Sequence, residues 1–222
     1  MESKEICIGE VLKHKLIAIL RKVEPDKLLH VAEALYRGGI KLMEVTFDPS
    51  GAFSEELTLR QIKSIRKSFG PELLVGAGTV LTPKQAELAH EAGASFIISP
   101  NTEEKVIKRT LELGMTSIPG ALTPTEMQRA HELGADFVKL FPAGELGLAY
   151  IKGVMAPLNH IKTLAVGGIH ENNMAAFLAA GVKGFGIGSN LVSGDLIKKG
   201  EYGELEVLAA RFAVKAMEGE RI

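Results

Sequence analysis

Cysteine is almost absent from the sequence, tryptophan is missing, and long apolar runs do not occur. The single Cys7 excludes an internal disulfide and is typical of a reducing, cytoplasmic setting. No apolar segment reaches the roughly 18–20 residues that a membrane-spanning helix needs. The N-terminal segment is charged and lacks the apolar region of a signal peptide. We therefore expect a cytoplasmic protein without a membrane segment.

Net charge is also nearly absent, at -1, which argues against a general binder of nucleic acids or membrane surfaces. The six histidines show no metal-ligand spacing, so we expect no metal site. What the sequence does contain is 46% hydrophobic residues, enough for a sizeable core. By length the chain fits either one large α/β domain or two small ones.

A pattern of helix, glycine and apolar strand recurs along the chain, as in Glu91–Pro100 and Glu132–Pro142. A glycine after a helix supplies the left-handed cap from which the chain turns into the next strand. The predicted strands are Leu16–Arg21, Leu42–Phe47, Leu73–Val80, Phe96–Pro100, Thr116–Leu122, Phe137–Pro142, Thr163–Ile169 and Gly184–Asn190. Eight such units predict a single (β/α)8 TIM-barrel domain over residues 1–222, preceded by an N-terminal helix. A doubly wound open sheet is the alternative.

Lys139 lies in the middle of an apolar strand. Burying an unpaired ammonium costs several kcal/mol or lowers the pKa of the amine steeply. Lys139 therefore either reaches a wet edge of the sheet or is kept neutral for chemistry. A neutral amine beside a carbonyl substrate is what Schiff-base catalysis needs. Strand alternation places Lys139 opposite Val138 and Leu140, and in a barrel this favours an inward position.

Two glycine-containing turns follow the last two predicted strands, at Gly167-Gly168 and at Gly188-Ser189. In TIM barrels the loops after strands seven and eight commonly bind phosphate, because glycines let backbone N–H groups approach it closely. Each turn alone could equally be an ordinary tight turn. Their occurrence on adjacent final strands favours a phosphate site.

Further polar residues fall at the carboxyl ends of the predicted strands, where barrels carry their chemistry. Glu44 lies among apolar neighbours, and desolvation there would raise its pKa into a range useful for proton transfer. It could equally form a surface pair at a strand edge. Arg21 could bind a carboxylate or phosphate, or be a solvated charge beside Lys22. Thr79 ends the third predicted strand.

These residues stand in segments that resemble a known family. The segments are Ile17–Arg21, Met43–Thr46, Val75–Val80, Ile98–Pro100, Ile118–Gly120, Val138–Pro142, Val166–Ile169 and Gly186–Ser189. In this order, nearly end to end, they resemble the class I 2-keto-3-deoxy-6-phosphogluconate (KDPG) aldolases. That group includes the related 4-hydroxy-2-oxoglutarate (KHG) and 2-keto-3-deoxy-6-phosphogalactonate (KDPGal) aldolases.

The resemblance implies a role for each site residue. Lys139 would form the Schiff base with the C2 carbonyl of pyruvate or the keto acid, and Glu44 would be the general acid/base. Thr79 would hold the pyruvyl group, and Arg21 would bind acidic end groups. The residues that would receive the phosphate are Gly167, Gly168 and Ser189. The resemblance further implies a cytoplasmic homotrimer that uses no metal and no cofactor, with pyruvate and a phosphorylated keto acid as its small-molecule partners.

The sequence departs from the best-known members in two places. Many phosphogluconate aldolases carry an arginine shortly after the glutamate, whereas Thr46–Ser50 contains none. The residues before Gly167 are Ala165-Val166 instead of a Pro-Thr pair, as in the galactonate type. Losing that hydroxyl changes which substrate hydroxyl orientation is satisfied, so the C4 stereochemistry stays open.

The expected reaction is reversible cleavage of a phosphorylated 2-keto-3-deoxy sugar acid to pyruvate and glyceraldehyde 3-phosphate. Cleavage of 4-hydroxy-2-oxoglutarate to pyruvate and glyoxylate is the alternative within the family. Two other classes are an epimerase or isomerase of sugar phosphates and a non-catalytic sugar-phosphate sensor. Neither needs a Schiff-base lysine.

Overall fold

The computed structural model describes residues 3–218, which form a barrel of parallel strands surrounded by helices. The nine strands within these residues are β1 (Leu16–Leu20), β2 (Leu42–Thr46), β3 (Leu74–Gly78), β4 (Phe96–Ile98), β5 (Thr116–Ile118), β6 (Gly120–Ala121), β7 (Val138–Leu140), β8 (Thr163–Val166) and β9 (Gly184–Ile187). The ten α-helices of the same segment are α1 (Lys4–His14), α2 (Leu28–Arg37), α3 (Glu55–Phe69), α4 (Pro83–Glu91), α5 (Glu104–Glu112), α6 (Pro124–Glu132), α7 (Ala143–Met155), α8 (Met174–Ala179), α9 (Gly194–Lys199) and α10 (Tyr202–Met217).

Neighbouring strands pair in the order β5-β4-β3-β2-β1-β9-β8-β7-β6, and every pairing is parallel. The two strands at the ends of this order, β5 and β6, are separated in sequence only by Pro119. Ile118 O accepts a hydrogen bond from Ser99 N at 3.3 Å, and Pro119 O accepts one from Lys139 N at 2.8 Å. One segment of chain therefore bonds to β4 on one side and to β7 on the other, which closes the barrel.

The predicted TIM barrel with an N-terminal helix is confirmed, with one difference in the strands. The predicted fifth strand, Thr116–Leu122, is two short strands, because Pro119 has no N–H to donate to the ladder. The alternative of an open doubly wound sheet is wrong, since the two ends of the strand order, β5 and β6, meet at Pro119 and close the barrel.

Helix α1 closes the amino-terminal end of the barrel. Its Cys7 and Val11 are almost fully buried in a cluster with strand residues whose side chains share one face. The members of this cluster from the strands are Ile17, Leu42, Leu74, Phe96, Ile98, Ile118 and Leu164, with Phe137 directly before β7. An ion pair of 2.9 Å between Lys4 Nζ and Asp136 Oδ1 fixes the start of α1 to the segment before β7. Among residues 3–218, the barrel interior is thus covered by α1 at the amino-terminal end and has its cavity at the carboxyl ends of the strands.

Within residues 3–218 we find no helix whose length and apolar character would let it cross a lipid bilayer.

Candidate active site

Lys139 and Glu44 lie in the barrel interior and are almost completely buried, at 7% and 2% exposure. Strand alternation explains this, because Phe137 and Leu42, two positions earlier on the two chain segments, belong to the interior cluster. The sequence left open whether Lys139 reaches an edge and whether Glu44 pairs at the surface. The structure places both side chains inside.

Burial shifts the pKa values of both groups toward their neutral forms. Desolvation raises the pKa of Glu44, and the positive charges of Lys139 and Arg21 oppose that rise in part. Desolvation likewise lowers the pKa of Lys139, which the charge of Glu44 opposes and that of Arg21 reinforces. The interior therefore holds an amine and a carboxyl group whose neutral forms are both favoured by burial, a combination typical of functional sites.

The carboxyl group of Glu44 is not fully hydrogen-bonded. Its Oε2 is buried and has no hydrogen-bond partner among the residues that the structure describes. A buried polar atom without a partner costs about 1–3 kcal/mol, so native proteins rarely keep one unless it serves a ligand or a reaction. This oxygen is available to a substrate or to a water molecule that carries protons.

Gly78 provides the space that Glu44 occupies. A Cβ atom added at Gly78 would lie 1.5 Å from Oε1 of Glu44 and 2.2 Å from its Cδ. Any residue with a Cβ atom at this position would therefore displace the Glu44 side chain from the position it has here. The segment Val75–Val80 contributed to the family resemblance, but the sequence alone did not indicate this function for Gly78, because the contact joins β3 to β2.

Thr79 follows Gly78 at the carboxyl end of β3 with a backbone φ of +57°. A β-branched residue in the left-handed region is uncommon and costs of the order of 1–3 kcal/mol. The next residue, Val80, is fixed to β4, because its backbone N–H donates a hydrogen bond of 3.2 Å to Ile98 O. The half-buried Thr79 side chain is held at this end of the barrel by a strained turn, which is typical of functional sites.

A cavity of about 430 Å³ opens at the carboxyl ends of the strands. The predicted site residues that line it are Arg21, Lys139, Gly167, Gly168 and Ser189. Of the seven predicted site residues, Glu44 and Thr79 are not in its lining as far as the described chain shows. The burial of Glu44 explains its absence, since the carboxyl group lies deeper than the cavity wall. Arg21 has no ion-pair partner among residues 3–218, so its charge is available to an anion.

The turn after β8 is compact because three glycines meet there. Gly167 and Gly168 have φ values of +87° and +69°, and a Cβ atom at Gly168 would lie 2.9 Å from Cα of Gly144. Backbone therefore packs directly on backbone at the start of α7. Phosphate binding at Gly167 and Gly168 stays a prediction, and the part played by Gly144 was not anticipated.

The carbonyl oxygens of this turn are occupied by protein donors. Gly167 O accepts from Gly144 N at 2.8 Å, Gly168 O from Asn173 Nδ2 at 2.9 Å and Ile169 O from Asn190 Nδ2 at 2.7 Å. The groups that the turn can offer to a ligand are therefore its N–H donors, which suit an anion. The two asparagines were missed from the sequence, because each acts on a segment that only the fold brings close.

Phe141 forms an apolar wall of the cavity beside the lysine. The Nζ atom of Lys139 lies 4.9 Å from the centre of the Phe141 ring, which is 38% exposed. A large apolar surface next to the amine adds to the desolvation that favours its neutral form. The described residues contain no group of three His, Cys, Asp or Glu side chains placed to hold a metal ion.

The geometry has counterparts among known proteins. Residues 8–208 match the family model of the KDPG and KHG aldolases. A 2-dehydro-3-deoxy-6-phosphogalactonate aldolase of Escherichia coli is 37% identical over 92% of this chain and 95% of its own length. A 2-dehydro-3-deoxy-phosphogluconate aldolase of Treponema pallidum is 35% identical over the same shares of the two chains.

Solved structures agree with these relatives. A native KDPGal structure superposes with a TM-score of 0.82 at 35% identity, over 93% of this chain and 96% of its own. A KDPG aldolase of Legionella pneumophila, with pyruvate captured as a covalent carbinolamine intermediate, gives a TM-score of 0.82 at 28% identity, over 91% and 96%. The chain belongs to the KDPG and KHG aldolase family.

Proposed function

We propose that this aldolase cleaves a phosphorylated six-carbon 2-keto-3-deoxy acid to pyruvate and glyceraldehyde 3-phosphate through a Schiff base on Lys139. The observation that carries the proposal is a buried lysine with a lowered pKa, electrostatically coupled to a buried glutamate, in a cavity lined by two glycine turns. The captured pyruvate intermediate of the Legionella relative supports the same chemistry.

The reaction begins with attack of neutral Lys139 on the C2 ketone, which gives a carbinolamine. Loss of water then forms an iminium, and its positive charge can accept an electron pair. Binding of the distal phosphate at Gly167, Gly168 and Ser189 fixes the far end of the substrate, so that binding energy serves orientation. Thr79 holds the pyruvyl half, and Arg21 binds an anionic end of the substrate.

Bond cleavage needs a base at the C4 hydroxyl. Glu44 accepts that proton as the C3–C4 bond breaks, directly or through a water molecule at its free Oε2. The bonding electrons pass to the iminium to give an enamine, and glyceraldehyde 3-phosphate is released. Glu44 then returns a proton to C3, and water hydrolyses the resulting iminium to pyruvate and free Lys139.

A trapping experiment tests the Schiff base. Borohydride reduction in the presence of pyruvate should fix a pyruvyl group on the peptide that contains Lys139, as detected by mass spectrometry. Binding of sugar phosphates without any such adduct would contradict the proposal and favour an epimerase or a sensor.

The choice of sugar acid is a separate question, because the relatives of galactonate and gluconate type are almost equally similar to this chain. Val166 lines the cavity just before the glycine turn and offers no hydroxyl to the substrate. We propose that the enzyme accepts both C4 epimers. Turnover of the two epimers within about tenfold of each other would support this, since one lost hydrogen bond is worth about that factor. A much larger preference would contradict it.

Gly78 gives a way to move Glu44 without changing its chemistry. Substitution of Gly78 by alanine should displace the carboxylate and lower kcat by about 10²-fold or more, within the usual contribution of a general base. Substitution of Gly153 by alanine is the matched control, because no atom lies within 4 Å of the added methyl group there. Equal activity of the two variants in a steady-state assay would contradict the proposed contact.

We also propose that the chain acts as one domain over residues 1–222, in the cytoplasm, as a homotrimer. Leu81 and Leu122 support an association surface, since they are 40% and 42% exposed beyond the ends of β3 and β6. The single buried Cys7 suits a reducing compartment. Light scattering that gives the mass of one chain would contradict the trimer.

A further inference from the structure

Lys22 lies in the cavity but has no part in the mechanism above. It follows Arg21 at the end of β1, and it lines the same cavity as Gly168 and Ser189. Its side chain is 47% exposed, and its backbone has a φ of +53°, which is uncommon for a residue other than glycine. From the sequence, Lys22 was named only as the neighbour of Arg21.

Asp48 and Ser50 hold the ammonium group of Lys22 in place. Its Nζ lies 3.2 Å from Oδ2 of Asp48 and donates a hydrogen bond of 3.3 Å to Oγ of Ser50. Both groups come from the loop after β2, so they connect the ends of two neighbouring strands. A lysine side chain is otherwise flexible, and two partners on one loop restrict its positions.

The carboxylate of Asp48 is itself fixed and charged. Ser50 Oγ donates to both of its oxygens at 2.7 and 2.8 Å, Ser50 N donates at 3.1 Å, and Phe53 N donates at 3.1 Å. These bonds, led by the Ser50 hydroxyl, hold the pKa of Asp48 at about 2. Asp48 is therefore an anion throughout the neutral range, and its charge is shared among several donors.

An ammonium group has three N–H donors. Among the described residues, Asp48 and Ser50 accept from two of the three donors of Lys22. The third is left for a ligand in the cavity. The glycine turns offer only neutral N–H groups, whereas a phosphate ester carries a charge of about -1.5 to -2 near pH 7. Such a ligand also needs positive charge nearby. Arg21 and Lys22, which line the cavity, can supply it.

We propose that Lys22, positioned by Asp48 and Ser50, binds the terminal phosphate of the substrate and makes the enzyme prefer phosphorylated aldehydes to uncharged ones. This inference rests on the proposed aldolase function. Asp48 is a positioning residue in this arrangement, because it acts on the substrate only through Lys22.

The test uses the synthetic direction, in which pyruvate is joined to glyceraldehyde 3-phosphate, to uncharged glyceraldehyde or to glyoxylate. Lys22→Met should raise the KM for glyceraldehyde 3-phosphate by about tenfold or more, as expected for a lost charged hydrogen bond. Its KM for glyceraldehyde and its kcat should stay within about twofold of the wild type. Lys22→Arg keeps the charge and should restore most of the lost affinity.

Lys63→Met is the matched control, because it removes one exposed lysine charge on α3 outside the cavity lining. It should leave all three KM values unchanged. An equal change of KM for the phosphorylated and the uncharged aldehyde in Lys22→Met, or no change in either, would overturn the inference. A rise confined to glyoxylate would also overturn it, in favour of a carboxylate site.

Pyruvate trapping on Lys139 tests the Schiff-base mechanism independently of phosphate binding by Lys22, because pyruvate has no distal phosphate. Lys22→Met should form the borohydride-reduced adduct as fully as the wild type. If the wild type forms no adduct, the proposed aldolase mechanism fails. If the adduct forms and the KM values do not separate, only the assignment of Lys22 fails.

Discussion

Substitution of Lys139 by methionine should lower the rate of cleavage by about 10⁴-fold or more, because no imine can form without the amine. Methionine has a similar length, carries no charge and fits an apolar interior. The loss should appear in kcat in a coupled assay of pyruvate release. Borohydride reduction with pyruvate should leave the variant unlabelled.

The stability of the same variant provides the control for folding. The pKa of Lys139 is lowered in the folded protein, so the stability that this amine contributes is complete only above its unfolded pKa, near 10.5, and falls as the pH drops through the folded value. At neutral pH the wild type therefore carries a penalty that methionine removes. We expect an unchanged or higher melting temperature at pH 7. An adduct on another lysine, or retained turnover, would contradict the role of Lys139.

Substitution of Glu44 by glutamine should slow the reaction by about 10²–10⁴-fold while leaving the first covalent step largely intact. Glutamine keeps the size of the side chain and cannot accept or return a proton. Exchange of the methyl protons of pyruvate with solvent, followed by NMR, should slow far more than trapping of the pyruvyl adduct on Lys139. Equal slowing of both processes would count against the acid/base role.

The pH dependence of stability gives a second measurement on this variant. Because burial raises the pKa of Glu44, its contribution to stability is complete below the unfolded pKa, near 4.5, and is lost as the pH rises through the folded value. Glutamine does not ionise, so the variant does not lose stability in this way as the pH rises. In urea unfolding, the stability of the variant relative to the wild type should increase as the pH rises above the unfolded pKa, near 4.5. A constant difference would show that Glu44 ionises normally.

Much of the fold could be predicted because it follows from local rules. Glycines that end helices, such as Gly93 and Gly134 with φ values of +95° and +90°, mark where each strand begins. The interruption at Pro119 was not anticipated, since its effect depends on which neighbours bond to each half of the strand. Strand alternation placed Lys139 on the face opposite Val138 and Leu140, and the cost of burying an ammonium among apolar helices favoured the inward face.

The sequence was enough to select the candidate site residues on the strands. It was not enough to predict the residues that contact the site from other segments. Lys139 and Glu44 stand out as charges within apolar segments, a contrast that sequence shows directly. The space for Glu44 comes from Gly78, and the amide side chains of Asn173 and Asn190 occupy carbonyl oxygens on the turn after β8. These relations join segments whose proximity only the folded barrel creates.

Because α1 closes the amino-terminal end of the barrel, we expect the two products to leave in a fixed order. With Cys7 and Val11 filling the amino-terminal end, the cavity that the described residues leave beside Lys139 opens at the mouth bordered by the glycine turns. Under the proposed mechanism the aldehyde fragment carries the phosphate held at those turns, so we expect it to depart first. In synthesis, we expect pyruvate to enter before the aldehyde. A high concentration of the phosphorylated aldehyde should therefore inhibit synthesis by occupying this mouth.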